Sequence, residues 1–309
     1  MNIPRRLRRG CLALLLSAGA AAYGTALPAE DLAQQSFPSA RAAVTALIEA
    51  NRSNDVAALG RILGPAAAPL VSSGDATQDK NDRARFDAMY EEHHRLQRTA
   101  PGSLTLLVGK TEWPLPIPLV KSDGAWRFDS DAGAKELLYR RIGANELAAI
   151  RVARALHRAQ LEYAASGHDG EPKGLYAQRF RSGAGKQDGL YWPVADGEPD
   201  SPAGPLVADA EAAGYESGKR HPFHGYYFRI LTAQGPHARG GARDYLVDGK
   251  LSGGFAILAY PAEYGASGVM SFLVSRRGTV YEKDLGADTA QAAQGMTAFD
   301  PDSAWRALK

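Results

Sequence analysis

Apolar positions along this chain follow two periods, and their order sets the expected fold. Val44, Leu47 and Ile48 form a stripe at helical spacing behind Ser39, a good N-cap. Asn54 or Asp55 opens a second short helix carrying Val56, Leu59, Ile62 and Leu63, which Gly64-Pro65 stops. A polar stretch from Ser72 to Arg83 leads into a third helix expected over 82–97, with Phe86, Met89, Tyr90 and Leu96. Strands are then expected over 104–108, 117–121 and 126–129, the last two joined by the hairpin turn signal Ser122-Asp123-Gly124.

The second half repeats the order. A helix over 132–143 is expected to break at Gly143, with Asn145 capping its successor. From Glu146 to Ala165, Ala149, Val152, Leu156, Ala159 and Tyr163 line one helical face, while Arg151, Arg154, Arg158 and Glu162 line the other. A Gly/Pro-rich stretch over 166–222 reads as ordered loop with a short helix near 204–213. Strands follow over 225–232, 243–247, 255–260, 269–274 and 279–282, with turns at Asp248-Gly249 and Arg277-Gly278. The expected class is α+β. An N-terminal helical domain with a small antiparallel sheet (30–143) precedes a domain of one long helix packed on an antiparallel sheet (144–309).

The first 29 residues change the electrostatic picture. Arg5, Arg6, Arg8 and Arg9 precede the apolar run Cys11–Ala22, which ends among small residues, as a secretory signal peptide does. A membrane helix needs roughly 20 apolar residues, so the run is too short to span a bilayer comfortably. Cys11 stands at the start of the run, where a lipoprotein signal would place its cysteine after it. The chain has 36 basic and 34 acidic residues; removing the four arginines of the signal leaves 32 basic against 34 acidic. The expected mature protein is periplasmic or secreted and mildly acidic, without stable membrane insertion. It retains no basic block that would bind nucleic acid. The one cysteine leaves with the signal, so no disulfide or thiolate chemistry is expected, and nothing in the chain implies a cofactor.

Several strings in the second domain resemble an uncharacterised exported bacterial family, domain of unknown function 2950: His224-Gly-Tyr-Tyr-Phe-Arg-Ile-Leu-Thr-Ala-Gln-Gly235, Gly253–Gly265, Ser267-Gly-Val-Met-Ser-Phe272 and Tyr281-Glu-Lys-Asp-Leu-Gly286. In the first domain Leu106-Leu-Val-Gly109, Trp113-Pro-Leu-Pro-Ile-Pro118 and Arg140–Ile150 agree. The resemblance implies export and the two-part architecture, and carries no catalytic residue. The helix 146–165 followed by Gly225-Tyr-Tyr-Phe and Tyr264-Gly also looks like the soluble part of pilin-like proteins, without their apolar half-helix; that likeness implies only a fold. The first domain faintly resembles the cone-shaped nuclear-transport-factor-like fold.

Candidate chemistry is sparse. His221-Pro-Phe-His224, with His237 and Asp244, could supply a metal or catalytic site, but the proline makes an extended loop and no HExxH-type signature accompanies it. A structural role for these four is the favoured reading. Gly265-Ala-Ser267-Gly268-Val269 departs from a nucleophile elbow at its fifth position and reads as a turn between strands. Glu91-Glu92-His93-His94 reads as a solvated face, and Asp75, Asp79 and Asp82 as turn and cap residues. Tyr226, Tyr227, Arg229 and Tyr264 would make a recognition surface if one sheet face were open, but coverage of one face by the helix and of the other by the 166–222 region is the favoured reading. The expected function is a non-catalytic binding or assembly protein of the cell envelope, with an envelope protein or glycan as partner. The alternatives are a metal-assisted hydrolase using the His221/His224 region and a binder of small molecules.

Overall fold

Ser39 caps its helix as the pattern suggests, accepting a hydrogen bond from the Ala42 N–H (3.1 Å), and Asp55 does the same for the next helix through Ala58 (2.8 Å). The computed structural model describes residues 34–195, 197–216 and 221–308; the expected signal segment 1–29 lies outside the described residues. The helices are α1 (Ala40–Arg52), α2 (Val56–Leu63), α3 (Ala68–Val71), α4 (Ala76–Glu92), α5 (Ser130–Ala165), α6 (Gly204–Ala212) and α7 (Thr289–Gly295). The first strands are β1 (His94–Ala100), β2 (Ser103–Val108), β3 (Trp113–Pro114), β4 (Leu119–Ser122) and β5 (Ala125–Phe128). They pair antiparallel in the order β1-β2-β4-β5, with β3 also on β2. Asp123 and Gly124 take φ of 52° and 84°, the left-handed pair that a two-residue hairpin turn requires. Phe37, Val44, Leu47, Ile48, Leu59, Ile62, Leu106, Val108 and Phe128 form the first buried core.

The later strands are β6 (Tyr226–Leu231), β7 (Ala233–Gln234), β8 (Arg243–Asp244), β9 (Leu246–Val247), β10 (Lys250–Leu251), β11 (Ala256–Pro261), β12 (Met270–Ser275), β13 (Val280–Asp284), β14 (Ala298–Phe299) and β15 (Arg306–Ala307). A five-stranded antiparallel sheet runs β15-β13-β12-β11-β6. Every residue of β11 is buried, because both faces of the sheet are covered. The C-terminal half of α5 packs across β11, β12 and β6, and α7 packs on β11. The α+β class therefore holds, with two separate apolar cores.

Three expectations change. The third helix occupies 76–92, not 82–97, and His94–Ala100 is a strand paired with β2 in the register His94↔Val108. This strand is exposed along most of its length, so its side chains lack the alternation that would announce it. The expected strand 243–247 is split into β8 and β9, and α7 was not anticipated. Most important for the site, no break occurs at Gly143: α5 is one helix of 36 residues, about 54 Å long. Asn145 caps nothing and is 2% exposed within it.

Tertiary contacts at both ends override one glycine, whose cost in a helix interior is only about 1 kcal/mol. A Cβ at Gly143 would meet no atom within 4 Å. Gly143→Ala is expected to raise stability by about 0.5–1 kcal/mol, read as an increase of about 2 °C in Tm by calorimetry. A lower Tm would show that the helix needs flexibility there.

Candidate functional site

Ser73 and Asp75 begin the construction. Asp79 accepts from the Ser73 N–H (2.9 Å) and the Ser73 hydroxyl (2.7 Å), which fixes the turn before α4. Asp75, 1% exposed, caps α4 by accepting from the Gln78 N–H (3.1 Å) through Oδ1. Its Oδ2 accepts from the Tyr215 hydroxyl and from the Gly225 N–H, both at 2.8 Å. One carboxylate thus ties a helix beside the first core to the segment that enters β6. Arg141 on α5 donates to the carbonyls of Pro69 (2.8 Å) and Leu70 (2.7 Å), which holds α3 against the long helix.

A cavity of about 840 Å³ opens between α4 and α5. From α4 come Gln78, Asp82, Phe86 and Met89, at the spacing that puts side chains on one helical face. From α5 come Leu137, Arg141, Ala144, Ala148 and Arg151, by the same rule. Leu47, Leu59, Trp113, Leu115 and Ile117 close the end against the first core. Gln78, Asn145, Arg151, Tyr215 and His224 line the other end. The cavity therefore joins apolar side chains of the first core to polar and charged groups, Asn51, Asp82, Arg85 and Arg141 among them.

The wall around Asn145 is held by a chain of amides. Asn145 Nδ2 donates to the Ser267 carbonyl (2.9 Å), and Gln78 Nε2 donates to Asn145 Oδ1 (2.7 Å). A carbonyl only accepts, so both amide orientations follow from the first bond. Burial pushes the Asp82 carboxyl above its ordinary pKa, while Arg85, 3.3 Å away, and Arg141 pull it down. Burial likewise raises the Tyr215 phenol, and the adjacent Asp75 carboxylate adds to the shift. His224 is held below the usual imidazole range by burial, with Arg151 acting in the same direction and Asp75 and Asp209 opposing. Its backbone is left-handed, with φ of 50°.

The residues singled out from sequence are not brought together. His224 lines the large cavity, whereas His221 is exposed. His237 lies on a separate concavity, its Nδ1 2.9 Å from Asp300, whose hydrogen bond raises the imidazole pKa. Asp244 is exposed on β8. Among the described residues no three His, Cys, Asp or Glu side chains gather as a metal-binding group. Tyr226 is fully buried, donating its hydroxyl to the Met270 carbonyl (2.8 Å), and so offers no surface. Tyr227 packs its ring on Tyr260, and Tyr264 donates to Asp284 (3.1 Å). Arg229 donates to the Ala293 (2.8 Å) and Gln294 (2.9 Å) carbonyls and to that of Met296, so it anchors the end of α7. Tyr226, Tyr227 and Arg229 are thus engaged within the protein, while Tyr264 is half-buried and bonded to an exposed carboxylate. Ser267 is buried in a turn, exchanging hydrogen bonds with the Glu263 backbone (2.9 and 3.0 Å), as its turn reading requires.

Sequence reasoning did not select Gln78, Asp82, Arg141, Asn145, Arg151 or Tyr215 for this site. The spacing of Gln78, Asp82, Phe86 and Met89 was the available signal, hidden by starting the helix six residues late.

The chain belongs to the family described as Protein of unknown function (DUF2950), whose model matches residues 34–308. Nothing among curated proteins or solved structures matches it. The likeness to pilin-like proteins has no support among solved structures.

Proposed function

We propose that this member of the DUF2950 family is an exported, non-catalytic binding protein whose occupant is an amphipathic small molecule held between α4 and α5. The observation that carries this reading is the 840 Å³ cavity, which joins apolar side chains of the first core to polar and charged groups from α4, α5 and the segment before β6. Pockets of about 300–1,000 Å³ with mostly apolar walls and a few placed polar groups are the usual form of a small-molecule site. The lining supports binding over covalent catalysis. It includes no serine, threonine, cysteine or lysine among the described residues, and the Tyr215 hydroxyl is committed to Asp75. The basic-then-apolar segment 1–29 supports export. Among the described residues no helix is long and apolar enough to cross a membrane.

The test uses N-phenyl-1-naphthylamine, a neutral fluorophore that brightens in apolar surroundings. Saturable binding is expected with a Kd on the order of 10 µM, about −7 kcal/mol. Ala148→Phe directs a ring into the cavity from α5 and is expected to weaken binding at least tenfold with unchanged far-UV circular dichroism. Absence of saturable binding, or binding indifferent to the filled cavity, overturns the reading. Export is tested separately by the mass of protein recovered from the periplasmic fraction. A chain starting near Glu30 supports it, and retention of Met1 in cytosolic material refutes it.

A further inference from the structure

A second concavity, of about 210 Å³, lies where the loop after β7 meets the turn between β12 and β13. Its walls include Gln234 of β7 with His237 and Arg239 from the loop, and Ser275 of β12 with Arg277 and Thr279 from the turn. The loop is wrapped around one carboxylate. Asp300 accepts from the His237 N–H (2.8 Å), sits 2.9 Å from the His237 ring Nδ1, and is also bonded by the Ala238 backbone. Gly235 makes room for it, since a Cβ there would lie 2.2 Å from the Asp300 carboxyl carbon. Gln234 closes the loop from the other side, donating to the Gly241 carbonyl (2.6 Å) and accepting from the Tyr245 hydroxyl (3.0 Å).

The Asp300 carboxylate offsets one of the positive charges at the concavity, and Arg239 and Arg277 bring two more. Asp302, the next carboxylate along, is engaged by Lys283 (3.7 Å) and by the Ala304 N–H (2.9 Å). Arg239 and Arg277 have no carboxylate partner among the described residues, and they come from two different elements. The Asp300 hydrogen bond favours the imidazolium form of His237 and engages Nδ1, leaving Nε2 as the ring's other donor. Two guanidiniums and an imidazolium around hydroxyl-bearing walls are the donor set for a tetrahedral oxyanion, because arginine pairs bidentately with phosphate.

We propose that this concavity is an anion-binding site for a phosphoryl group, with Arg239, Arg277 and His237 as its ligands. It is independent of the α4–α5 cavity and shares none of its lining residues. The volume exceeds what a bare oxyanion fills, so the group can be carried by a sugar.

Calorimetric titration of the full-length protein at low ionic strength tests this with inorganic phosphate, glucose 6-phosphate and glucose. Saturable binding of either phosphate-bearing probe, with none of glucose, is the expected result, and salt weakens it. Tighter binding of the sugar phosphate assigns the group to a phosphorylated sugar, and equal binding assigns it to the free oxyanion. Arg239→Ala/Arg277→Ala should weaken binding at least tenfold. Arg239→Lys/Arg277→Lys should retain part of it, and Arg85→Ala at the other cavity should leave it unchanged. Both arginines of the site are exposed, so the Tm of the double alanine variant should match that of the parent. Failure of both phosphate probes to bind, or equal binding by the double alanine variant, overturns the proposal.

Discussion

Asp75→Ala is expected to destabilise the protein by about 3–5 kcal/mol, more than any ordinary surface carboxylate would. The side chain is 1% exposed and accepts three hydrogen bonds, from the Gln78 N–H, the Tyr215 hydroxyl and the Gly225 N–H. Loss of the cap alone costs about 1 kcal/mol. The two other donors are left without their acceptor, at about 1–3 kcal/mol for each that stays buried. Tyr215→Phe removes one of these donors and leaves Asp75 with the rest, so it should cost only about 1 kcal/mol. Urea unfolding of the two variants is the measurement. Equal losses in both would mean that Asp75 acts only through the tyrosine, and the role assigned to the Gly225 N–H would be wrong. Because Asp75 anchors the segment bearing Tyr215 and His224, its alanine variant should also bind the naphthylamine probe less tightly at temperatures where it remains folded.

Gly133→Ala should lower stability by about 2–4 kcal/mol, the opposite sign to the same substitution ten residues further along the helix. A Cβ at Gly133 would stand 2.0 Å from the Pro116 carbonyl oxygen and 2.7 Å from the Ile117 nitrogen. Both atoms are backbone, so no side chain can rotate to relieve the contact, and the first turn of α5 must move off the segment 116–117. Overpacking of this kind costs about 1–3 kcal/mol or more, and the gain of about 1 kcal/mol in helix propensity does not offset it. Ile117 and Leu119 are buried in the first core, so the shift propagates there. Scanning calorimetry should show a Tm lower by about 5–10 °C. A Tm at or above that of the parent would mean that α5 does not rest on this segment.

Ser39 and Asp55 open α1 and α2 by bonds to residues three positions on, and Asp123-Gly124 turns its hairpin by local backbone preference. Asp75 and Asp79 do serve the turn and cap roles that their positions suggested. Asp82 does not, because α4 begins at Ala76 and carries it onto the cavity face. The start of α4 lacks an apolar stripe because Gln78 and Asp82 bring polar groups to the cavity wall, so hydrophobic periodicity could not report it. Tyr226, Tyr227 and Arg229 do lie in a strand, and their side chains are engaged by the core, by Tyr260 and by α7.

From sequence alone came the α+β class, most helices and strands and the turn chemistry, which rest on residues within about four positions of each other, and the family, which rests on longer strings in both domains. Tertiary structure decided the continuity of α5, the cavity beside it and the residues that line it. Its polar lining depends on bonds between Gln78 and Asn145, 67 positions apart, between Asn145 and Ser267, 122 apart, and between Asp75 and Gly225, 150 apart. Such pairs leave no local period along the chain. They form only once two apolar cores have packed and brought distant polar groups to places where water no longer satisfies them.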